Sequence, residues 1–211
     1  GGGGGSGMAR KTADDRKAEI VATALRLADE LGPDRMTIQA VADAVGLTQP
    51  AIFRHFPTKQ TLWQAVAEAI TERMTAAWEG VLAKKNEPDQ QLVALVLVQF
   101  QQIEANPAIP SILHSRELQT ENADLRQCFR VLMTRFQGLL QAELTRARDT
   151  GRVRSDLVPE DAAVLLVSLI QGMALRWSLG DRSFPLATEG ARLLDSQMKL
   201  FRAYHDGERR S

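Results

Sequence analysis

Cysteine, aromatic residues and net charge are all scarce in this sequence. Cys128 is the single cysteine among 211 residues, so an intrachain disulfide framework is excluded, and a reducing compartment would suit the chain. Lysine plus arginine and aspartate plus glutamate both number 26, which excludes a uniformly basic coat for nucleic acid but allows a local basic face. Aromatic residues make up only 5%, fewer than large β-sandwiches and barrels usually carry.

Long hydrophobic runs are absent too. The longest are residues 92–98 and 162–167, well below the roughly 18–20 residues that a membrane span needs. Charged residues rather than an apolar segment follow Met8, so no signal peptide is visible. We therefore expect a cytoplasmic protein with no membrane partner. Residues 1–7, six glycines and a serine, are predicted to be a tag-like linker outside the fold.

Proline and glycine divide the rest of the chain into segments with helical spacing of apolar residues. About nine helices are predicted, with no convincing strand alternation, which indicates an all-α fold. Thr37, Thr48 and Thr58 are expected to cap the second, third and fourth helices at their N-termini. The predicted helices span residues 15–31, 38–45, 49–55, 58–85, a stretch ending near 105, a short stretch from Pro110 to about 118, 123–150, 159–179 and 186–204.

Residues 37–56 carry the most specific pattern. They predict a helix, a four-residue turn that contains Gly46, and a short second helix, which together form a helix-turn-helix. Val41, Ile52 and Phe56 are among the apolar residues spaced to close a small core, so the polar side of the short helix should face outward. No aspartate or glutamate occurs from residue 44 to residue 67. This combination suits a major groove about 12 Å wide and its flanking phosphates.

Residues 16–66 resemble the N-terminal domain of TetR/AcrR-like transcriptional regulators. The resemblance lies in T-I-x-x-V-A-D-A-V-G-L-T at 37–48 and in A-I-F-R-H-F-P-T-K-x-x-L-W at 51–63. It implies a three-helix DNA-binding domain followed by a larger helical domain for effector binding and dimerisation. Phe53, Pro50 and Gln60 depart from residues that are frequent in the family, namely tyrosine, glycine and an acidic residue.

The resemblance also assigns roles at the DNA. Gln49 would pair with adenine, while Pro50 and Ala51 would touch a thymine methyl group. Lys59 would hold the backbone beside a helix N-terminus. The expected DNA-binding residues are Thr37, Thr48, Gln49, Pro50, Ala51, Phe53, Arg54, His55 and Lys59.

The expected domains are 8–61 for DNA binding and 62–205 for effector binding and dimerisation, with a tail at 206–211. Apolar residues of the middle helices are candidates for the effector pocket, although an apolar helical stripe is more often plain core. The pocket candidates are Trp78, Phe100, Ile103, Leu113, His114, Phe129, Met133, Phe136 and Trp177. The candidates for a dimer interface on the last two helices are Leu165, Leu169, Gly172, Met173, Arg176, Leu193, Leu194, Met198 and Phe201.

The resulting hypothesis is a repressor that binds a palindromic operator as a homodimer and is released by a small-molecule effector. An activator of the same architecture and a helical adaptor with a degenerate DNA-binding domain remain open alternatives. An enzyme is not expected, because the sequence has no nucleophile elbow, no H-E-x-x-H and no phosphate-cradling glycine loop. No cofactor or metal is expected either.

Overall fold

The computed structural model describes residues 11–202 as a bundle of helices. This part of the chain holds ten α-helices and one short 3-10 turn, Pro33–Arg35, and its only β pairing is an isolated bridge between Val153 and Arg202. The predicted all-α class is confirmed. The helices are α1 Ala13–Leu31, α2 Ile38–Val45, α3 Gln49–His55, α4 Lys59–Leu82, α5 Pro88–Ala105, α6 Ala108–His114, α7 Arg116–Glu121, α8 Ala123–Asp149, α9 Pro159–Leu179 and α10 Leu186–Phe201.

Threonine caps set the starts of the helices in the N-terminal region. The hydroxyl groups of Thr37, Thr48 and Thr58 accept hydrogen bonds from backbone N–H groups three residues later, at 3.0, 3.3 and 3.1 Å. Each bond satisfies a donor that the first helical turn leaves without a partner. Gly46 ends α2 at φ 72°, a left-handed conformation that glycine adopts without steric cost. The predicted caps are confirmed.

The prediction of a single helix from Pro110 to about residue 118 was wrong. The chain forms α6 and α7 there, which raises the helix count to ten within residues 11–202. Pro110 lies in the first turn of α6, where its missing N–H group costs no hydrogen bond, so the helix begins before the proline rather than after it. Ser115 leaves helical geometry and its hydroxyl caps α7 by accepting from the N–H of Leu118 at 3.2 Å.

Two further helix ends differ from the predictions. α4 stops at Leu82, and Lys85 has a positive φ of 48° that no helix tolerates. α10 ends at Phe201 in the described part of the chain, whereas the predicted end at Tyr204 lies outside the described residues. α4 also runs without a break across the expected domain boundary at 61/62, so both regions share one helix.

The apolar core is continuous from α1 to α10. α1, α2 and α3, the predicted DNA-binding region, pack on one another; α4, α5, α8 and α9 form the bundle behind it. The rings of Trp78 and Phe136 lie 5.0 Å apart at its centre. α10 covers α5, where Gly190 packs directly against Phe100. The short helix α3 packs chiefly on α2 and α1.

α9 is the one helix among the described residues that is long and apolar enough to cross a membrane by length and composition. One side of α9 is buried against α8, α5 and α10, as in the core helix of a bundle. Its other side is exposed and still carries apolar residues such as Leu165 and Leu179. α9 is therefore rich in apolar residues for two reasons: one side packs in the core, and the exposed side is also apolar.

Candidate DNA-binding surface and buried cavity

α3 presents one face to the core and the other to solvent. Ile52 and Phe56 are buried against the neighbouring helices, while Pro50, Phe53 and Arg54 are exposed. The Gly46 turn sets the angle between α2 and α3, and the Thr48 cap starts α3 at the surface. A seven-residue helix held in this way offers a small and rigid outward surface.

The expected DNA-binding residues lie together on this outward surface. Among them, Thr37, Thr48, Pro50, Phe53 and Arg54 are exposed. The remaining four are half-buried: Gln49, Ala51, His55 and Lys59. The set therefore lies on the N-caps of α2 and α3, on α3 itself and at the start of α4.

This surface carries the cations Arg54 and Lys59, and the sequence has no acidic residue from residue 44 to residue 67. Within residues 11–202, neither Arg54 nor Lys59 forms a salt bridge with a carboxylate. Lys59 opens α4 next to its cap Thr58, so its ammonium group and the helix dipole both favour an anion at this point. These features suit a phosphate of a DNA backbone.

Gln39 is a residue of this surface that the sequence patterns missed. It lies in the first turn of α2 and accepts a hydrogen bond from Nε2 of Gln49, while its own Nε2 donates to Oδ1 of Asp43 at 2.6 Å. Gln49 keeps a second amide proton and its Oε1 oxygen for a base edge. The pairing was not visible in the sequence because the two glutamines are ten residues apart on different helices.

A cavity of about 250 Å³ lies among the helices α4, α5, α6, α8 and α9. Six of the nine pocket candidates line it. Those six are Ile103, Leu113, His114, Phe129, Met133 and Phe136. The lining residues that the sequence patterns missed are Met74, Gln99, Ile109, Pro110, Leu132, Val167, Ile170, Gln171 and Ala174.

Trp78, Phe100 and Trp177 lie outside this lining and belong to the core. Trp78 packs on Phe136, which itself lines the cavity, and Phe100 is fully buried beneath Gly190. The indole N–H of Trp177 donates to the carbonyl of Phe184 at 3.0 Å. Large apolar residues at helical spacing mark a buried side of a helix, and burial alone does not distinguish a cavity wall from solid core.

The polar residues of the lining are Gln99, Gln171 and His114. No lining residue is acidic, and Glu104 and Glu117 of the neighbouring helices lie elsewhere. Glu104 accepts a hydrogen bond from the N–H of Ala187 at 3.0 Å, in the first turn of α10. Its carboxylate thus stabilises a helix N-terminus and does not face the cavity.

The dimer candidates divide between two sides of α9 and α10. Leu165, Gly172 and Arg176 are exposed on α9, and Leu169 and Leu193 are half-buried. The other four are buried within the protomer, where they pack in its core rather than face solvent. These four are Met173, Leu194, Met198 and Phe201. Both helices are apolar on two sides, so apolar spacing alone selected the core side as well.

Two further exposed leucines lie on the solvent-facing sides of α9 and α10. Leu179 continues the side of α9 that carries Leu165, and Leu200, 70% exposed, lies two turns after Leu193 on α10. Leu165 itself is 50% exposed, and Gly172 has no atom near its Cβ position. We call Leu165, Leu169, Gly172, Arg176, Leu179, Leu193 and Leu200 the outer face.

The arginines between residues 146 and 154 form a second basic stretch, but all four meet carboxylates. Arg152, for example, bridges to Glu87 and Asp89 at 3.0 and 3.1 Å. Arg154 donates to Asp156 and keeps the pKa of that carboxyl below its ordinary value. The ion pairs of this stretch thus lie in the last turns of α8 and at the junction after it, and they offset much of its positive charge.

Comparisons with known proteins agree with this arrangement. Residues 20–66 match the family model described as bacterial regulatory proteins, tetR family, and residues 88–199 match the one described as BetI-type transcriptional repressor, C-terminal. The nucleoid occlusion factor SlmA of Vibrio cholerae is 27% identical over 197 residues, which cover 91% of this chain and 100% of that protein.

Solved structures show the same fold. A TetR transcription regulator from Haloarcula marismortui has a TM-score of 0.76 at 22% identity and covers 90% of this chain and 99% of its own. The regulator FadR of Bacillus subtilis, solved in complex with stearoyl-CoA, has a TM-score of 0.69 at 18% identity, with 87% and 96% covered. The C-terminal family match alone spans more than half of the chain. With its helix-turn-helix and helical C-terminal domain, the chain belongs to the tetR family of bacterial regulatory proteins, which are DNA-binding transcriptional regulators.

Proposed function

We propose that this regulator is a repressor which binds a palindromic operator as a homodimer and is released by a small-molecule effector. The observation that carries the proposal is the position of α6. Ile109, Pro110 and Leu113 of α6 line the cavity, and the same helix packs against α1 of the DNA-binding region. A molecule in the cavity therefore acts on a helix that contacts the DNA-binding region directly.

Base reading is assigned to α3. Gln49, Pro50 and Ala51 lie at its start, where a recognition helix meets base edges in the major groove. Arg54, His55 and Lys59 supply contacts to phosphates on both sides of the groove. We propose residues 8–61 and 62–205 as the functional domains, joined through α4. Chromosomal DNA as the target puts the site of action in the cytoplasm.

The outer face of α9 and α10 is proposed as the dimer interface. Two such helices from each chain would form a four-helix interface around a two-fold axis. The dimer would then hold two copies of α3 about 34–36 Å apart, in successive major grooves on one side of the duplex. The spacing of the operator half-sites follows from this separation.

Release is proposed to occur by a change in that separation. After α6, the hydroxyl of Ser115 donates to Oδ1 of Asp34 at 2.9 Å, and Arg182 pairs with Asp29 of α1. These contacts tie the DNA-binding region to the effector domain at two points. An effector that binds one orientation of α6 more tightly than the other shifts the equilibrium by that difference in affinity.

The proposal is tested by selection from a random duplex library followed by fluorescence anisotropy. We expect an enriched palindrome, one dimer per site, and affinity that falls steeply with salt. Repression is tested by transcription in vitro from a promoter that overlaps the selected site; increased transcription would favour an activator. A stable dimer that enriches no sequence would contradict the proposal and favour a helical adaptor.

A further inference from the structure

We propose that the cavity accepts an uncharged, mainly apolar molecule with one hydrogen-bond acceptor, and that Nε2 of Gln99 donates to this acceptor. The inference rests on the proposed function, since it concerns the same cavity, and it names the chemical class of the effector. Three observations carry it: the orientation of the Gln99 amide, the shortage of acceptors for that amide, and the charge of the lining.

The orientation of Gln99 follows from Trp78. The indole nitrogen of tryptophan can only donate, and Nε1 of Trp78 lies 2.9 Å from Oε1 of Gln99. The oxygen of the amide must therefore face Trp78, and the NH₂ group must point the other way, towards Sδ of Met74. Gln99 and Met74 line the cavity whereas Trp78 does not, so the NH₂ group lies on the cavity side.

The NH₂ group of Gln99 has two protons to donate and only one weak acceptor among the described residues. Its one partner among the described residues is the thioether of Met74 at 3.5 Å, and sulfur is a weak acceptor for two amide protons. Gln99 is only 5% exposed, so bulk water does not satisfy the group. A buried donor without a good acceptor is costly, and an oxygen atom of a bound molecule would remove that cost.

The lining also restricts the charge and the size of the molecule. It contains no aspartate or glutamate to pair with an ammonium group and no lysine or arginine to pair with a carboxylate, so His114 is its one ionisable residue and a charged ligand would lose its hydration with little compensation. Its volume of about 250 Å³ is just below the usual range for drug-sized ligands. A neutral compound of one or two fused rings with a carbonyl or hydroxyl oxygen fits these limits.

Three probes of similar shape test the inference on the full-length protein: 1-tetralone, tetralin and 1-aminotetralin. Isothermal titration calorimetry and tryptophan fluorescence would measure their affinities at pH 7, where the amine is protonated. We expect 1-tetralone to bind about five- to tenfold more tightly than tetralin, the worth of one hydrogen bond, and 1-aminotetralin to bind least tightly. Equal binding of 1-tetralone and tetralin, strongest binding of the amine, or no binding of any probe up to about 1 mM would overturn the inference.

Variants assign the preference to Gln99. Gln99→Met removes the donor in a side chain of similar size, and Gln99→Leu removes it in a shorter one; both should abolish the preference for the ketone. Gln91→Met is the matched control, because Gln91 is a buried glutamine of the same helix outside the cavity. It should keep the preference. A retained preference in both Gln99 variants, with cooperative thermal unfolding showing that they fold, would overturn the assignment.

The inference and the proposed function can fail separately. If 1-tetralone binds with the expected preference but leaves operator affinity unchanged, the cavity chemistry is supported and the release mechanism is contradicted. If the protein selects an operator but shows no ketone preference, DNA recognition stands and the inference is overturned.

Discussion

At the scale of single residues, we expect the surface around α3 to separate contacts that read bases from contacts that hold phosphates. Gln49 lies at the start of α3, where its amide retains a free oxygen and a second proton beyond the bond to Gln39. Lys59 lies outside α3, at the first position of the next helix. The two residues should therefore respond differently when DNA sequence and salt concentration are varied.

Replacement of Gln49 by alanine should relax base preference at one operator position. The loss of a bidentate contact with adenine costs about 1–3 kcal/mol in discrimination at that position and little at the others. Anisotropy titrations against operators with single base changes measure this. Gln39→Ala is the companion variant, since it frees the Gln49 amide without removing it and should keep the preferred base. A uniform loss of affinity in Gln49→Ala would contradict a base-reading role.

Replacement of Lys59 by alanine should weaken binding to every DNA sequence. A lost phosphate contact lowers the slope of log affinity against log salt by about 1 and leaves the ratio of specific to non-specific binding nearly unchanged. Lys84→Ala is the matched control, because Lys84 is an exposed lysine just beyond the far end of α4. If both variants give the same salt slope as the parent protein, Lys59 does not contact phosphate.

At the scale of secondary-structure elements, α10 packs closely on α5, and this contact depends on a single glycine. A Cβ atom at Gly190 would lie 2.7 Å from the ring of Phe100, closer than van der Waals contact permits. Gly190 is therefore the one helical glycine in the described chain whose small size is required by a neighbouring side chain. The helical spacing of apolar residues in α10 carries no sign of this requirement.

Substitution of Gly190 by alanine should destabilise the protein. Overpacking in a full core costs about 1–3 kcal/mol, because Phe100 is fully buried and cannot move aside freely. Gly138→Ala in the exposed part of α8 meets no atom within 4 Å and should stabilise by about 0.4–1 kcal/mol instead. Chemical denaturation of both variants at equal protein concentration gives the two differences in the free energy of unfolding. Equal stability of the two variants would contradict the close packing.

At the scale of the whole molecule, the outer face of α9 and α10 leaves several leucines in solvent within one protomer. Leu179 and Leu200 are 77% and 70% exposed, more than any other described large apolar residue. Exposed apolar patches of this kind mark interaction surfaces. Since two-fold dimers are the commonest assembly of soluble proteins, a second copy of the chain is the occupant that we propose.

A charge on this face should convert the dimer to a monomer. Leu165→Glu places a carboxylate at the proposed two-fold contact, where its partner copy would carry the same charge. We expect half the mass by light scattering at micromolar concentration, an unchanged helical content, and loss of operator affinity. Val131→Glu is the control, because Val131 is an exposed apolar residue of α8 away from this face. A dimeric Leu165→Glu variant would exclude the face as the interface.

What the sequence determined by itself is local. Threonine caps, the left-handed glycine and the outward residues of α3 depend on neighbours within about one helical turn, so Thr37, Thr48 and Gly46 were readable from the sequence. The split at Ser115 was missed because a proline in the first turn of a helix and a proline that ends one look alike in sequence. The family resemblance carried the functional prediction further than the composition did.

The tertiary structure was needed to show whether an apolar side of a helix packs in the core, lines the cavity or faces solvent. Met198 and Leu200 are both apolar, yet one is buried in the protomer and the other is in solvent. Gln99 follows apolar neighbours, and nothing in its local sequence reveals that Trp78 turns its NH₂ group towards a cavity. Periodicity shows that a helix has a buried side, whereas the partner of that side depends on contacts between residues far apart in the chain.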